Sequence, residues 1–132
     1  MSMLEEIGTY LAAESMGTLG TDLFLGEMPD APDTCTAVHE YAGMQPVHFM
    51  GVTRGAAIWE QPRFQVMCRA KAYATARSKA KDAFNKLDGH SGTLSGTEYG
   101  YIRALQSPFL VQKDANDRVL IACNFEVAKR PS

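Results

Sequence analysis

The stretch PRFQVMCRAKAYATARSKAKDAFNKLDG, from Pro62 to Gly89, contains the two periodicities that decide the fold. Its first part, Pro62 to Tyr73, alternates apolar and polar residues, which is typical of a strand with one buried face. The apolar positions are Phe64, Val66, Cys68, Ala70 and Ala72, and the alternate positions are Arg63, Gln65, Met67, Arg69 and Lys71. One face of the predicted sheet therefore packs on a core, while the other meets solvent or another subunit.

The second part of the same stretch predicts an amphipathic helix from Ala76 to Asp88. Thr75 is its expected cap, and Gly89 follows its last turn. Apolar residues recur at helical spacing, at Ala76, Ala80, Ala83, Phe84 and Leu87. Because alanine side chains are small, we expect this helix to lie close to the sheet, with Val66 and Phe84 both in the core.

The residues before this stretch predict one helix and two strands. Ser2 to Met16 has helical apolar spacing, and Ser2 and Glu5 have the spacing of a capping box. Gly17 then occupies the position where a left-handed residue is usual. The predicted strands run from Asp22 to Gly26 and from Cys35 to Tyr41.

The last third of the chain predicts strands. Gly96 marks a hairpin between two short runs, Pro108 interrupts the pattern, and a long alternating run closes the chain. The predicted strands are Thr93–Ser95, Glu98–Gln106, Phe109–Gln112 and Arg118–Lys129. The whole order predicts a single α+β domain over residues 1–132, a mostly antiparallel β-sheet with two α-helices packed on one face.

Composition excludes several classes of function. Thirteen Lys and Arg against fifteen Asp and Glu give a net charge of −2, which does not suit tight binding to a nucleic-acid backbone. No apolar run approaches the roughly 20 residues that span a bilayer, and the N-terminus lacks the basic residues of a secretory signal. No common catalytic, phosphate-binding or zinc motif is present, so we expect no enzyme, no catalytic residues and no cofactor.

The three cysteines, Cys35, Cys68 and Cys123, are odd in number and each lies in a strand-like run. We expect them to be reduced and half-buried and to pack as small apolar residues. The alternative is half of a metal site formed by Cys35 and His39, but no second close pair of ligands follows, so we expect no metal.

The segment from Ala42 to Gln61 is the least regular part of the sequence, and long irregular loops in small domains are often functional. It combines glycines with residues that interface centres prefer. Its candidate subunit or tube contacts are Met44, Phe49, Met50, Arg54 and Trp59. The alternative is a loop that folds back on the sheet, with Trp59 in the core. A further candidate is the hairpin from Gly92 to Tyr99.

Four blocks, taken in order, resemble the tail terminator, or minor capsid, proteins of long-tailed (siphovirus-type) bacteriophages. They are GTLGTDLFLGEMPDAPD (Gly17–Asp33), EYAG (Glu40–Gly43), FQVMCRAKAYATARSKA (Phe64–Ala80) and IRALQSPFLVQKDANDRVLIACNFEV (Ile102–Val127). The resemblance covers most of the chain, and the stretch from Met44 to Gln61 matches least well.

The resemblance implies a structural virion protein, assembled in the host bacterial cytoplasm, that closes the head-proximal end of the tail tube as a ring, usually a hexamer. It implies contacts with the tail tube protein and with a neck or head-completion protein, and DNA that passes through the lumen without being read. It supplies no catalytic residues. Two alternatives remain: a small cytosolic dimeric adaptor without enzymatic activity, and an enzyme of unrecognised type.

Overall fold

A computed structural model describes residues 2–47 and 59–131 of the chain. The predicted order of helices and strands is confirmed. The elements are α1 (Met3–Ala13), β1 (Leu23–Leu25), β2 (Cys35–Val47), β3 (Trp59–Ala70), α2 (Tyr73–Leu87), β4 (Gly92–Leu94), β5 (Thr97–Ala104), β6 (Phe109–Lys113) and β7 (Val119–Lys129).

The seven strands form one sheet in the order β1-β2-β3-β7-β5-β4, and β6 also pairs with β7. All pairings are antiparallel except that of β1 with β2. β3 runs along one edge of β7, while β5 and β6 share the other edge, β5 opposite Phe125–Lys129 and β6 opposite Val119–Ala122. The predicted interruption at Pro108 thus separates two strands that continue along the same neighbour.

Both helices lie on one face of the sheet and share one core with it, so the predicted α+β architecture is confirmed. The final strand is central, and its alternating residues Val119, Ile121, Cys123, Phe125 and Val127 are all buried. Phe64 of β3 stacks on Phe125 of β7 with ring centroids 5.1 Å apart. The small side chains of Ala76, Ala80 and Ala83 are buried where α2 meets the sheet, as their spacing predicts.

The helix ends differ in detail from the predictions. The capping box of Ser2 and Glu5 is present, but α1 ends at Ala13. Ser15 has a positive φ of 65°, and Gly17 also has a positive φ, of 143°. Thr75 lies inside α2, which begins at Tyr73 without a side-chain cap. Only two residues separate β3 from α2, which leaves no room for a separate capping turn.

Two residues assigned to the apolar faces are less buried than predicted. Ala72 is exposed, because β3 ends at Ala70. Phe84 is half-buried and packs against the rim of the core, with the Lys81 ammonium 4.4 Å from its ring centroid. Val66, by contrast, is buried as predicted.

The prediction of an irregular loop over the whole of Ala42–Gln61 is wrong at both ends. β2 continues to Val47 and β3 begins at Trp59, so these ends pair as a hairpin. Irregularities follow Tyr41 and Met44, and Gly43 is required by space, since a Cβ there would lie 2.2 Å from the carbonyl oxygen of Gln61. The glycine therefore marks a strand irregularity with a close backbone approach rather than a turn.

No helix in the described part of the chain is long and apolar enough to cross a bilayer.

Candidate assembly surfaces

The paired ends of β2 and β3, residues Ala42–Val47 and Trp59–Gln61, form a surface that we call the hairpin end. Residues 42–46 are all exposed. Met44, which lies opposite Gln61, is 54% exposed. A methionine held outward on a strand offers a flexible apolar contact to another molecule, so the hairpin end is the first candidate surface.

Trp59 packs on the protein's own sheet, at the helix-free face. Its ring lies so close to Gly100 that a Cβ on that glycine would be 3.2 Å from the indole. The Arg130 guanidinium lies 4.9 Å from the centroid of the Trp59 ring. Trp59 is half-buried and lies outside the helix-facing core, which supports neither the free-loop placement nor the placement in the core.

Of the five predicted contact residues, the structure therefore brings Met44 and Trp59 to the same hairpin end. Phe49, Met50 and Arg54 lie outside the described residues. Sequence reasoning missed that this segment begins and ends as paired strands, because the partner of each residue lies on the other strand.

The edge strand β6 is a second apolar surface, which sequence reasoning missed. Leu110 is 54% exposed and Val111 is 41% exposed, and Leu105 just before the strand is exposed as well. In β6 the apolar residues are adjacent rather than alternating, and an irregularity at Val111 separates Leu110 from Gln112. The available sequence signal was this short apolar run beside Pro108, which predicts a strand but not its exposure.

The helix-free face of the sheet carries a charged cluster near the hairpin end. Glu126 accepts hydrogen bonds from Arg103 at 3.0 Å, from Tyr101 at 3.2 Å and from Arg63 at 3.4 Å. Burial alone would raise the pKa of Glu126, but these bonds together hold that pKa below its usual value. Two arginines thus share one carboxylate beside the ring of Tyr101, so neither guanidinium is a free charge on this face.

The loop between β1 and β2 is fixed across the other end of the same face by two arginines. Arg69 donates to the carbonyl oxygens of Pro29 and Pro32, both at 2.6 Å. Arg118, whose side chain is 4% exposed, donates to Asp30 at 2.8 Å and to Asp114 at 2.7 Å. Because both arginines are satisfied inside the protein, this end of the face is a supported structural region rather than a free basic patch.

The cysteines are free, and all three are fully buried rather than half-buried as predicted. Burial raises the pKa of the Cys68 and Cys123 thiols to about 11, and it also raises the pKa of Cys35. Since the thiolate is the reactive form, these thiols are chemically inert near neutral pH. Within residues 2–47 and 59–131, no three His, Cys, Asp or Glu side chains are placed to share a metal ion.

The described residues form an α+β domain with unpaired strand edges and exposed apolar side chains on them. A sequence model of the family described as "Bacteriophage tail terminator protein" matches residues 10–130, which is most of the chain. The chain belongs to this family of structural phage tail proteins.

A solved structure shares the fold. A chain in the "Virion of native gene transfer agent (GTA) particle" superposes with a TM-score of 0.67 at 16% identity, over 98% of this chain and 96% of that chain. At this identity the likeness concerns the fold alone. No match was found among curated proteins.

Proposed function

We propose that this protein forms a ring, of six subunits, on the head-proximal end of the tail tube. The ring ends tube polymerisation and presents its other side to the neck or head-completion protein. Family membership over residues 10–130 supports this role. The observation that carries it in this protomer is the position of its exposed apolar side chains on strand edges, at Met44 of β2 and Leu110 of β6, where other subunits can dock.

The DNA would pass through the central hole without being read. A net charge of −2 gives the protomer no general attraction for a phosphate backbone. The arginines of the helix-free face are already held by carboxylates, Arg63 and Arg103 by Glu126 and Arg118 by Asp30 and Asp114. DNA held weakly in this way is free to slide during ejection.

The segment from Ala42 to Gln61 would supply contacts to the neighbouring subunit or to the tube. Met44 is its exposed apolar contact, and Trp59 anchors the base of the segment against Gly100. Phe49, Met50 and Arg54 remain proposed contacts in the same segment. A Met50→Asp protein would then stay folded and fail to close the tail.

The test is assembly of tubes from the tail tube protein of the same phage, imaged by electron microscopy with and without this protein. With it, we expect tubes that stop growing and carry an extra ring at one end. Growth that continues unchanged, with no ring at either end, would overturn the proposal. A stable dimer that ignores tube ends, measured by light scattering, would instead favour an adaptor.

A further inference from the structure

Two strand edges of the protomer lack partners in the described residues, and they lie on opposite sides of the sheet. β1 covers the outer edge of β2 only at Thr36–Val38, which leaves residues 40–47 of β2 without a neighbouring strand in the described part of the chain; we call this the β2 edge. β6 pairs with β7 on one side, and no strand among residues 2–47 and 59–131 pairs with its other side; we call this the β6 edge. Unpaired backbone groups of this kind are templates for pairing with another chain.

The exposed apolar side chains concentrate on these two edges. In the described residues the large apolar side chains that are exposed are Leu19, Tyr41, Met44, Tyr73, Leu105, Leu110 and Val111. Tyr41 and Met44 belong to the β2 edge, Leu110 and Val111 belong to the β6 edge, and Leu105 precedes it. Natural edge strands that must stay unpaired usually carry charge and little apolar surface, so this composition favours pairing over protection.

The two edges run in directions that suit a head-to-tail contact. β2, β3, β7 and β6 are successively antiparallel, so β6 runs opposite to β2. Copies related by rotation in a ring keep these directions, and the β6 edge of one copy therefore meets the β2 edge of the next as an antiparallel pair. The two edges lie at opposite ends of the strands, because β6 neighbours the start of β7 and the β2 edge lies beside the start of β3. This offset gives the stagger that a sheet needs in order to close on itself.

One register matches charge, face and irregularity along both edges. It places Lys113 opposite Glu40, and both lie on the helix-covered face, since Lys113 pairs with Val119 and Glu40 with Phe64. It places Gln112 opposite Tyr41 on the helix-free face. Each edge has one extra residue next, between Leu110 and Gln112 on β6 and between Tyr41 and Met44 on β2. Phe109 then comes opposite Met44.

We infer that the ring is held by a heterologous strand contact, in which the β6 edge of one copy adds antiparallel to the β2 edge of the next copy with Lys113 opposite Glu40. This inference rests on the proposed ring and specifies its subunit interface. Lys113, which reaches Asp117 at 3.3 Å across an exposed contact in the protomer, turns to Glu40 on assembly. The contact continues the sheet from one subunit into the next.

The test is disulfide crosslinking at the register position on the helix-free face. Tyr41→Cys and Gln112→Cys are prepared separately and together in the full chain, assembled on tubes of the tail tube protein, oxidised mildly and separated without reductant. Both sites are exposed, while the native cysteines are buried. Directly opposite residues of an antiparallel pair lie within disulfide reach. The matched control combines Tyr41→Cys with Tyr73→Cys on α2, where Tyr73 is 53% exposed.

The doubly substituted protein is expected to give a covalent ladder that ends at the ring. An equal mixture of the two singly substituted proteins is expected to give covalent dimers only. Each singly substituted protein alone, and the control pair, is expected to give no crosslinked product above the background of unsubstituted protein. Rings that form but do not crosslink in the doubly substituted protein would overturn the interface and leave the proposed function standing. Efficient crosslinking of Tyr41→Cys alone would show a symmetric contact at the β2 edge and overturn the head-to-tail interface. Absence of any ring on the tubes, seen by microscopy before oxidation, would overturn both.

Discussion

β7 and β6 are neighbours in one sheet, and their apolar residues have opposite surroundings. β7 has strands on both edges and helices over one face, and nearly all of its side chains are buried. β6 has one neighbour, and four of its five residues are exposed, with Phe109 half-buried. The same residue types therefore stabilise the protomer in β7 and are available to other molecules in β6. The buried residues of β7 therefore find all their partners within the protomer, whereas the apolar residues of β6 stay exposed at the sheet edge.

The largest effect is expected at the centre, from Phe125→Ala. Phe125 is 0% exposed and stacks on Phe64, so removing its ring leaves a cavity between β7, β3 and the helices. The free energy of unfolding, measured with urea on the protomer, should fall by about 3–5 kcal/mol. A loss below about 1 kcal/mol would mean that β7 is not at the centre of the core.

A smaller loss is expected from Arg118→Gln, which tests the loop fixed on the helix-free face. Hydrogen bonds from the Arg118 backbone and guanidinium lower the pKa of Asp114. The stabilisation from a carboxylate with a lowered pKa is complete well above its unfolded-state pKa and is lost as the pH falls through the folded-state value. Unfolding midpoints of the unsubstituted protein should therefore fall below about pH 4, and this dependence should be weaker in Arg118→Gln. Equal pH profiles for the two proteins would contradict the role of Arg118.

Phe84→Ala tests a position between the centre of the core and the sheet edges. Because Phe84 is half-buried at the rim of the core, we expect a loss of about 1–2 kcal/mol in the same urea measurement, less than for a fully buried phenylalanine. A loss as large as that of Phe125→Ala would show that the Phe84 ring is fully enclosed, as the helical spacing alone predicts.

The smallest effect on folding is expected from Leu110→Ala at the β6 edge. Leu110 is 54% exposed, so the free energy of unfolding of the protomer should change by no more than about 0.5 kcal/mol. Ring formation on tube ends should weaken, since the same side chain would be buried between subunits. Tyr73→Ala, at an exposed site on α2, is the matched control and should change neither quantity. If Leu110→Ala forms rings on tube ends as well as the unsubstituted protein, the β6 edge does not contribute to ring formation.

Local periodicity predicted the parts of the fold whose signal lies within a few residues of sequence. The alternation in β3 and β7 and the alanine stripe of α2 each specify a buried face without reference to the rest of the chain. The extension of β2 past Tyr41 was not predictable in this way. Gly43 and Pro46 suggest a loop until Gln61 and Trp59 are placed beside them, and that pairing is a property of the folded chain.

Polar contacts between distant segments could not be predicted from sequence patterns either. Glu6 lies on the buried side of α1 because it accepts a hydrogen bond at 2.8 Å from Tyr99. No local sequence pattern near either residue predicts this pair. Of the candidate contact residues, Met44 is exposed and Trp59 packs against Gly100, and their role in contacts stays a prediction. The sequence predicted β6 as a strand but not its exposure.

Gly100 decides which faces of the sheet its two neighbouring tyrosines occupy. Tyr99 pairs with Lys129 and Tyr101 pairs with Ala128, so Gly100 is an extra residue, and the two tyrosines point to opposite faces instead of the same one. Tyr99 bonds to Glu6 in the core, and Tyr101 bonds to Glu126 outside it. If β5 instead paired regularly through Gly100, the two tyrosines would share one face, and the Tyr101 ring would enter the core or Tyr99 would leave it. The irregularity at Gly100 therefore decides which tyrosine reaches the core and which reaches the helix-free face.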